Sequence, residues 1–489
     1  MKFKIKSFKI GAGKPIIFLH KEDAEKMNIH MADRVAVMSG TKKIIGVVDI
    51  VGNYFDPGEI GVSGEIIKKL SLKSGDYVEI GLLPFSNSGK LIQKKLSCVP
   101  YSRKELFNVI LDINNNVLSE AEVAYFVSGI YHCGMSLNET IFLTEAIYKT
   151  GKVLSWKSKK VVDKHSIGGV PGNRTTPIVV SICASAGIIM PKTSSRAITS
   201  AAGTADVVES IANVDFSLRK LKSIVNKTNA CLAWGGSLGI APADDKLIQV
   251  EKILHLDPKP QLIASILAKK LAVGSKYVLI DIPHGAGAKV SYSQALSLRR
   301  DFLKIGRHFG LKIKVILTSG SQPIGNGIGP LLEIKDVIRV LQRNNPPKDL
   351  ESKAVKMAGE ILEMVGKAKK GQGAKLALEI LDSGKAFKKF EQIIKEQGGR
   401  LDKLKKARNV HVIKSPKSGE VTAIDNKDIN RMARLTGSPI DKAAGLYIFK
   451  HKGDKISKGE PLIEIHSESK HKINQALSFF KTIKPIAIV

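Results

Sequence analysis

A chain of 489 residues is longer than one ordinary domain, so about two to four domains are expected. Its 43% apolar and 25% charged residues exclude a disordered or fibrous protein. The formal net charge of +32 is spread along the whole sequence; it fits nucleic-acid binding, attraction of phosphorylated substrates or a lysine-biased composition, and chooses among none of them.

Membrane and secretory signals are weak in this sequence. The longest apolar stretch, residues 177–191, is closed by prolines and falls short of the ~20 residues that a membrane helix needs. The N-terminus lacks the continuous apolar core of a signal peptide. Cys98, Cys133, Cys183 and Cys231 lie far apart without metal-binding spacing, so we interpret them as reduced thiols of a cytoplasmic protein.

The first 150 residues predict two kinds of structure, strands followed by helices. Residues 1–84 alternate short apolar strands with Gly, Asp and Asn turns, around one helical insertion at 21–28. This pattern predicts a small β-barrel. Residues 101–150 read instead as three helices, with apolar residues three and four apart.

From about residue 160, short β-branched runs alternate with helices. Three of the runs, at 159–162, 276–283 and 312–318, end directly in glycine-rich loops. Parallel α/β sheets present their loops at the carboxyl ends of the strands. The three loops therefore predict one shared cleft.

The predicted fold class is multi-domain α/β with a mostly parallel sheet. Its parts are an N-terminal β-barrel at 1–84, a helical lobe at 87–150 with 240–273, an α/β phosphate-binding lobe at 151–239 with 274–407, and a C-terminal α+β domain of barrel-sandwich type at 408–489.

The first loop, "VVDKHSIGGVPGNRTT" at 161–176, has the composition of an anion site or of a polar turn. Gly168 and Gly169 let the backbone approach a ligand, and a helix with Thr175 or Thr176 as its N-cap would point its N-terminus at that ligand. The residues that would add charge and hydroxyl donors are Lys164, Ser166 and Thr175. The spacing matches neither a Walker loop nor a dinucleotide fingerprint.

The second loop, at 191–210, strengthens the anion-site interpretation. Arg196 is flanked by five hydroxyl residues: Thr193, Ser194, Ser195, Thr199 and Ser200. Thr204 follows a glycine at the start of another predicted helix. Any one of these hydroxyls can be explained as a cap or turn residue, but two such loops on neighbouring units are harder to explain that way.

Four further residues each allow two interpretations. Asp257 either caps a helix or acts as a general acid, provided that burial or nearby carboxylates raise its pKa. Ser265 and Lys269 lie one helical turn apart on a face that is either functional or solvated. Lys289 is either a surface lysine or a phosphate ligand.

Several motifs together resemble the thymidine (pyrimidine-nucleoside) phosphorylase family, over roughly residues 87–489. They are "DKHSIGGVPGNRTT", "PKTSSRAITSAAGTAD", "IASILAKKLA" with the upstream Asp257, "SGKAFKKF" and "GEPLIEIH". The first two motifs and the N-terminal barrel resemble the archaeal branch of that family, which acts on AMP.

The resemblance implies a set of site residues. Inorganic phosphate, as co-substrate, would contact Lys164, Ser166, Thr175, Ser194 and Thr204. AMP would contact Gly169, Ser195, Arg196, Ala197, Ile198, Thr199, Ser200, Thr204, Ser265 and Lys289. Asp257 would donate a proton to the base. The resemblance implies no metal and no cofactor.

Two positions depart from the pyrimidine enzymes. Val250 stands where those enzymes carry an arginine that binds the pyrimidine carbonyl, which favours a purine whose N7 is protonated by Asp257. Ser319 stands where an aspartate is expected, so the role of its loop is open. His165 either orients the first loop or touches the ribose.

The predicted function is reversible phosphorolysis of AMP, with CMP and UMP as further candidates, to a free base and ribose 1,5-bisphosphate. The reaction would serve nucleotide degradation and salvage and feed ribulose 1,5-bisphosphate formation. The predicted assembly is a homodimer or larger homo-oligomer, without membrane or nucleic-acid partners. The alternatives are a pyrimidine nucleoside phosphorylase, a phosphoribosyltransferase and a basic nucleic-acid-binding protein.

Overall fold

The computed structural model describes residues 1–7, 10–52, 54–83, 86–197, 200–401 and 404–489. The chain divides into two compact units. The first contains residues 1–150 and 243–260, and the second contains residues 151–242 and 261–489.

A six-stranded closed barrel opens the first unit, as predicted, with the strand order β1-β5-β2-β4-β3-β6. Its elements are β1 (Lys2–Ser7), β2 (Ile16–His20), α1 (Lys21–Lys26), β3 (Arg34–Ser39), β4 (Lys42–Val51), β5 (Glu59–Val62), α2 (Gly64–Leu70) and β6 (Tyr77–Leu82). Alternate residues of the strands, such as Phe3 and Ile5 of β1, are buried in a common core. The period of two in the sequence thus becomes one inward face and one outward face.

Helices complete the first unit: α3 (Ser88–Leu96), α4 (Arg103–Asn114), α5 (Glu120–Cys133) and α6 (Leu137–Lys149). The last three have Ser102, Ser119 and Ser136 as N-caps, and each serine forms a capping box with a glutamate three residues on. The reciprocal bonds satisfy backbone N–H groups that a helix start leaves free. The three helices predicted within 101–150 are therefore confirmed.

One expectation about the cysteines is wrong. Cys98 follows α3 and Cys133 ends α5, and their sulfurs form a disulfide across a sequence separation of 35 residues. The pairing depends on α3 packing against α5, which cysteine spacing does not reveal. Only Cys183 and Cys231 are free thiols, and both are buried.

The second unit alternates strands and helices. Its elements up to residue 396 are β7 (Val162–Ser166), α7 (Thr175–Ser185), β8 (Met190–Ser194), α8 (Thr204–Glu209), α9 (Leu218–Thr228), β9 (Ala230–Trp234), a short 3-10 helix (Gly235–Ser237), α10 (Pro242–Leu254), α11 (Lys259–Ala272), β10 (Tyr277–His284), α12 (Tyr292–His308), β11 (Lys312–Ser319), β12 (Gly327–Ile328), α13 (Pro330–Leu341), α14 (Lys348–Met364), α15 (Gly373–Asp382) and α16 (Lys385–Glu396). Two of these elements cross the division, because α10 except Pro242, and the first two residues of α11, belong to the first unit.

The three strands that precede the glycine-rich loops form one parallel sheet in the order β11-β10-β7. In its register Tyr277 pairs with both Val162 and Lys312. All three loops therefore leave the same edge of the sheet, as predicted. A separate parallel pair, β8 with β9, carries the loop that follows Ser194.

The long apolar stretch at 177–191 spans most of α7 and the start of β8. Ten of the residues of α7, from Thr175 to Ala184, are buried, and its apolar side chains belong to the main core. A helix that is apolar all round fits an interior position. Within the described ranges, no helix has the length and hydropathy that a membrane span requires.

The C-terminal domain is a small α+β part of the second unit. Its elements are β13 (Asn409–Lys414), β14 (Gly419–Ile424), α17 (Asn426–Leu435), β15 (Gly445–Ile448), β16 (Lys455–Ile456), β17 (Pro461–Ser467), α18 (Lys470–Ile483) and β18 (Ile486–Ile488). Strand β12 pairs with β15, so the domain shares a sheet with the loop that follows β11.

Candidate active site

Lys164 lies in the middle of β7, and it is 1% exposed. Its ammonium donates to Thr175 Oγ1 at 2.8 Å and to Thr176 Oγ1 at 3.3 Å, at the start of α7. Helix α7 begins at Thr175 and has Arg174 as its N-cap, so neither threonine is the cap that the sequence suggested. Burial lowers the pKa of Lys164 to about 7, although Asp281 opposes this shift.

Asp281 organises the edge of the sheet, and the sequence analysis missed it. It is fully buried in β10 and accepts from Ser166 Oγ at 2.9 Å and from Thr318 Oγ1 at 2.6 Å. Its carboxylate also pairs with the Lys353 ammonium at 3.1 Å. The sequence feature that could have pointed to Asp281 is its place inside the apolar run "YVLIDIP". A carboxylate buried with such a run needs hydrogen-bonding or charged partners.

A second buried carboxylate lies in β7 itself. Asp163 pairs with Lys192 at 3.1 Å and with Lys270 at 2.6 Å. Burial alone would raise the pKa of Asp163, but the two ammonium groups hold it below its ordinary value. Burial lowers the pKa of Lys270 to about 7. Asp163 thus ties together β7, β8 and α11, which carry candidate site residues.

His165 lies among these lysines. Burial and then the charges of Lys270, Lys192 and other lysines hold its pKa well below the usual value. The imidazole is therefore neutral near pH 7 and can accept a hydrogen bond from a ligand.

The first loop and the loop that carries Lys289 touch directly. Gly168 and Gly169 both have left-handed φ angles, 87° and 90°. A Cβ atom on Gly169 would meet the backbone nitrogen and the Cβ of Lys289 at 2.9 Å each. Only glycine fits here, for reasons of both φ and space. The structure thereby brings together two residues that were predicted to bind AMP.

Asp206 holds the second loop. Its Oδ2 accepts from the backbone of Ala197 at 2.6 Å and of Gly203 at 2.8 Å. A Cβ atom on Gly203 would meet the backbone of residues 195–197 at less than 3 Å. The loop is therefore folded tightly onto the start of α8, which begins with Thr204.

Arg174 fixes Thr204 and was not singled out from the sequence. Its guanidinium donates to Thr204 Oγ1 at 2.9 Å, to the Ala202 carbonyl at 3.0 Å and to Glu333 at 2.6 Å. Burial raises the pKa of Glu333 to about 7, which Arg174 partly offsets. The sequence feature that could have pointed to Arg174 is its place directly before Thr175 and Thr176 in the first loop.

The other members of the second loop differ in their surroundings. Arg196 forms a bidentate pair with Glu209 and stacks on Trp234, with its guanidinium carbon 4.6 Å from the ring centroid. Ser194 and Ser200 donate to backbone carbonyls at 3.4 Å and 3.2 Å. Ser195 is exposed. Ile198 and Thr199 lie outside the described residues.

The remaining residues singled out from the sequence are divided between the two units. On α11, Lys269 Nζ lies 3.5 Å from Ser265 Oγ, so the predicted shared face is present. Asp257, between α10 and α11, is exposed and belongs to the first unit, as does the buried Val250. Ser319 is exposed and lies 3.1 Å from Ser321 Oγ.

The only metal-ligand geometry among the described residues is a group of Cys98, His132 and Cys133 in the first unit. The disulfide engages both sulfurs of this group. The groups of the candidate site that are suited to an anion are lysines, hydroxyls, backbone N–H groups and helix starts.

Comparisons with known proteins agree with this geometry. Residues 158–387 match the model of the glycosyl transferase family, a/b domain, and residues 420–487 match the pyrimidine nucleoside phosphorylase C-terminal domain. A solved structure, anthranilate phosphoribosyltransferase from Thermus thermophilus, superposes with a TM-score of 0.54 at 16% identity, covering 63% of this chain and 99% of that one. The second unit thus has a glycosyl-transferase type of fold.

Curated relatives match the whole length. AMP phosphorylase of Pyrococcus furiosus is 44% identical, covering 100% of this chain and 98% of its own. AMP phosphorylase of Methanococcus aeolicus is 40% identical, with 96% and 94% covered, and AMP phosphorylase 1 of Archaeoglobus fulgidus is 39% identical, with 100% and 97% covered. The chain belongs to the AMP phosphorylase family. The resemblance to nucleoside phosphorylases is thereby confirmed.

Proposed function

We propose that the protein catalyses phosphorolysis of AMP by inorganic phosphate, giving adenine and ribose 1,5-bisphosphate. The observation that carries the proposal is the packing of Lys289 against Gly169, which puts two anion-binding loops side by side. A nucleoside monophosphate with inorganic phosphate needs two such positions.

Inorganic phosphate takes the position beside Lys164, Ser166, Thr175, Ser194 and Thr204. Its oxygen attacks C1′ while the bond from C1′ to the base nitrogen breaks, and its negative charge stabilises the oxocarbenium-like transition state. Asp257 gives its proton to N7 of the leaving adenine, whose ring takes up the electron pair of the broken bond. The reaction needs no cofactor and no metal ion, because lysines and hydroxyls supply the positive field.

The 5′-phosphate of AMP takes the position at Lys289 and the second loop. Binding energy from this remote group orients C1′ toward the attacking oxygen. Asp257 is exposed in its own unit, so substrate binding must exclude water from it before proton transfer.

The enzyme is proposed to work as a homodimer or larger homo-oligomer in the cytoplasm. Large apolar side chains exposed on the helices of the first unit support a subunit interface: Tyr125 and Tyr131 of α5 are each 60% exposed.

The pH dependence of phosphate binding tests the role of Lys164. With a folded-state pKa of about 7, its ammonium loses its proton as the pH rises above 7, and phosphate binding must restore it. The KM for phosphate should therefore rise about tenfold per pH unit above 7. In the Lys164→Arg variant the guanidinium stays charged, so this rise should vanish even if the KM is higher throughout. The ionisation of phosphate itself is common to both proteins, and parallel profiles would contradict the assignment.

The reaction itself is tested by its product. The protein is incubated with phosphate and, separately, AMP, CMP, UMP, adenosine and thymidine, with EDTA present. We expect adenine and ribose 1,5-bisphosphate from AMP, detected by chromatography and mass spectrometry, and far slower release of thymine from thymidine. Preferred cleavage of thymidine would favour a pyrimidine nucleoside phosphorylase instead. Absence of any phosphorolysis, with tight and salt-dependent RNA binding, would favour a nucleic-acid-binding protein.

A further inference from the structure

Helix α17 of the C-terminal domain presents two asparagines to the candidate site. Asn426 and Asn430 are one helical turn apart and share a face. Asn426 is fully buried and Asn430 is 9% exposed. A buried amide destabilises a fold unless it is hydrogen-bonded, so its partners indicate its purpose.

Asn426 binds the two loops that follow β10 and β11. Its Nδ2 donates to the Gly287 carbonyl at 3.2 Å and to the Gly320 carbonyl at 2.7 Å. Because both partners are carbonyls, the NH₂ group must face them, which fixes the orientation of the amide. Gly287 stands two residues before Lys289.

Asn430 binds the second loop. Its Oδ1 accepts from the Ala201 backbone N–H at 3.0 Å, while Ser438 Oγ donates to the Ala201 carbonyl at 2.8 Å. Both backbone groups of Ala201 are therefore held by the C-terminal domain. Ala201 lies between Ser200 and Thr204, in the loop proposed to bind AMP.

We propose that Asn426 and Asn430 are positioning residues for AMP, and that α17 sets the spacing between the Lys289 loop and the second loop. Neither asparagine touches the substrate; each acts through a backbone group of a loop that does. The inference rests on the proposed function, since it assigns these loops to AMP.

The test compares substitutions that keep or remove the required hydrogen-bonding group. Asn426→Asp keeps the shape of the side chain and, when ionised, offers a donor to neither carbonyl. Asn430→Leu removes the acceptor, whereas Asn430→Asp retains it. Asn474→Asp, exposed on α18, is the matched control for added charge in the same domain.

The four variants should differ in how tightly they bind AMP and phosphate. By calorimetry, Asn426→Asp should weaken AMP binding about tenfold and phosphate binding less than threefold. Asn430→Leu should weaken both ligands, because its loop follows Ser194 and includes Thr204, and Asn430→Asp should weaken them less than Asn430→Leu does. Asn474→Asp should bind like the wild type. A purely structural defect would lower the melting temperature without this separation of ligands.

Amide hydrogen exchange gives a readout that needs no ligand. Exchange of residues 285–291 should accelerate in Asn426→Asp and not in Asn474→Asp. Unchanged exchange there, unchanged AMP affinity in Asn426→Asp, or equal losses in Asn474→Asp would each overturn the inference. If Asn426→Asp does not fold, the ranking of the two Asn430 variants decides. Turnover of AMP by the wild type is measured separately, and its absence refutes only the proposed function.

Discussion

Replacing Asp163 with asparagine should lower the free energy of unfolding by about 3–5 kcal/mol, because it leaves two buried lysines without their counter-ion. The Asp163 carboxylate is fully buried between Lys192 and Lys270. An asparagine of the same shape can accept from only one of them and carries no charge. Chemical denaturation of wild type and variant at pH 7 measures the difference.

The pH dependence distinguishes a lost counter-ion from a packing defect. Without the carboxylate, the pKa of Lys270, which burial already lowers to about 7, falls further in the folded protein and does not change in the unfolded chain. The unfolded state then binds more protons, so the stability of Asp163→Asn should rise as the pH increases from 7 toward 10. Wild-type Lys270 loses its own proton near pH 7, so the deficit relative to wild type should be largest below pH 7 and should change little above it.

Two controls accompany this variant. Asp382→Asn breaks the exposed pair with Arg343, 2.8 Å apart, and should cost less than about 1 kcal/mol. Adding Lys270→Met to Asp163→Asn removes one uncompensated charge and should restore part of the stability. A deficit that is independent of pH and unaffected by Lys270→Met would contradict the electrostatic explanation.

The sequence predicted the elements around the site better than the contacts within it. Apolar runs that end in glycine-rich loops are a local pattern, and the rule for parallel sheets turned them into a common edge. The same holds for Lys164 and Thr175, which are near each other in sequence and meet in space at 2.8 Å.

The contacts that were missed join residues far apart in sequence. Asp281 reaches Ser166 across 115 residues, and Asn430 reaches Ala201 across 229. Their partners are defined only when strands pair and domains pack. The disulfide between Cys98 and Cys133 was missed for the same reason, because helix packing and not the spacing of cysteines in the sequence brings the two together. A charged residue inside an apolar run was the one local sign of Asp281 and Asp163.

The first loop illustrates the limit of a composition argument. Glycines, hydroxyls and a lysine fit an anion site, but the sequence could not separate residues that contact the ligand from residues that hold them. Ser166 now has a structural partner in Asp281, and Thr204 has one in Arg174. Thr204 accepts from Arg174, so its own proton stays available to an anion and its position is fixed before substrate binds, which lowers the entropic cost of binding.

Replacing Asp257 with asparagine should reduce kcat/KM for AMP by about 10²–10⁴-fold, because adenine would then leave without its proton. Asp257 is exposed, so the substitution should leave the melting temperature within about 2 °C of the wild type. A nucleotide with an N7-methylated purine already carries the positive charge that protonation supplies. Phosphorolysis of such a substrate should therefore be nearly equal in wild type and Asp257→Asn. If the variant keeps full activity on AMP, or loses activity equally on both substrates, Asp257 is not the proton donor.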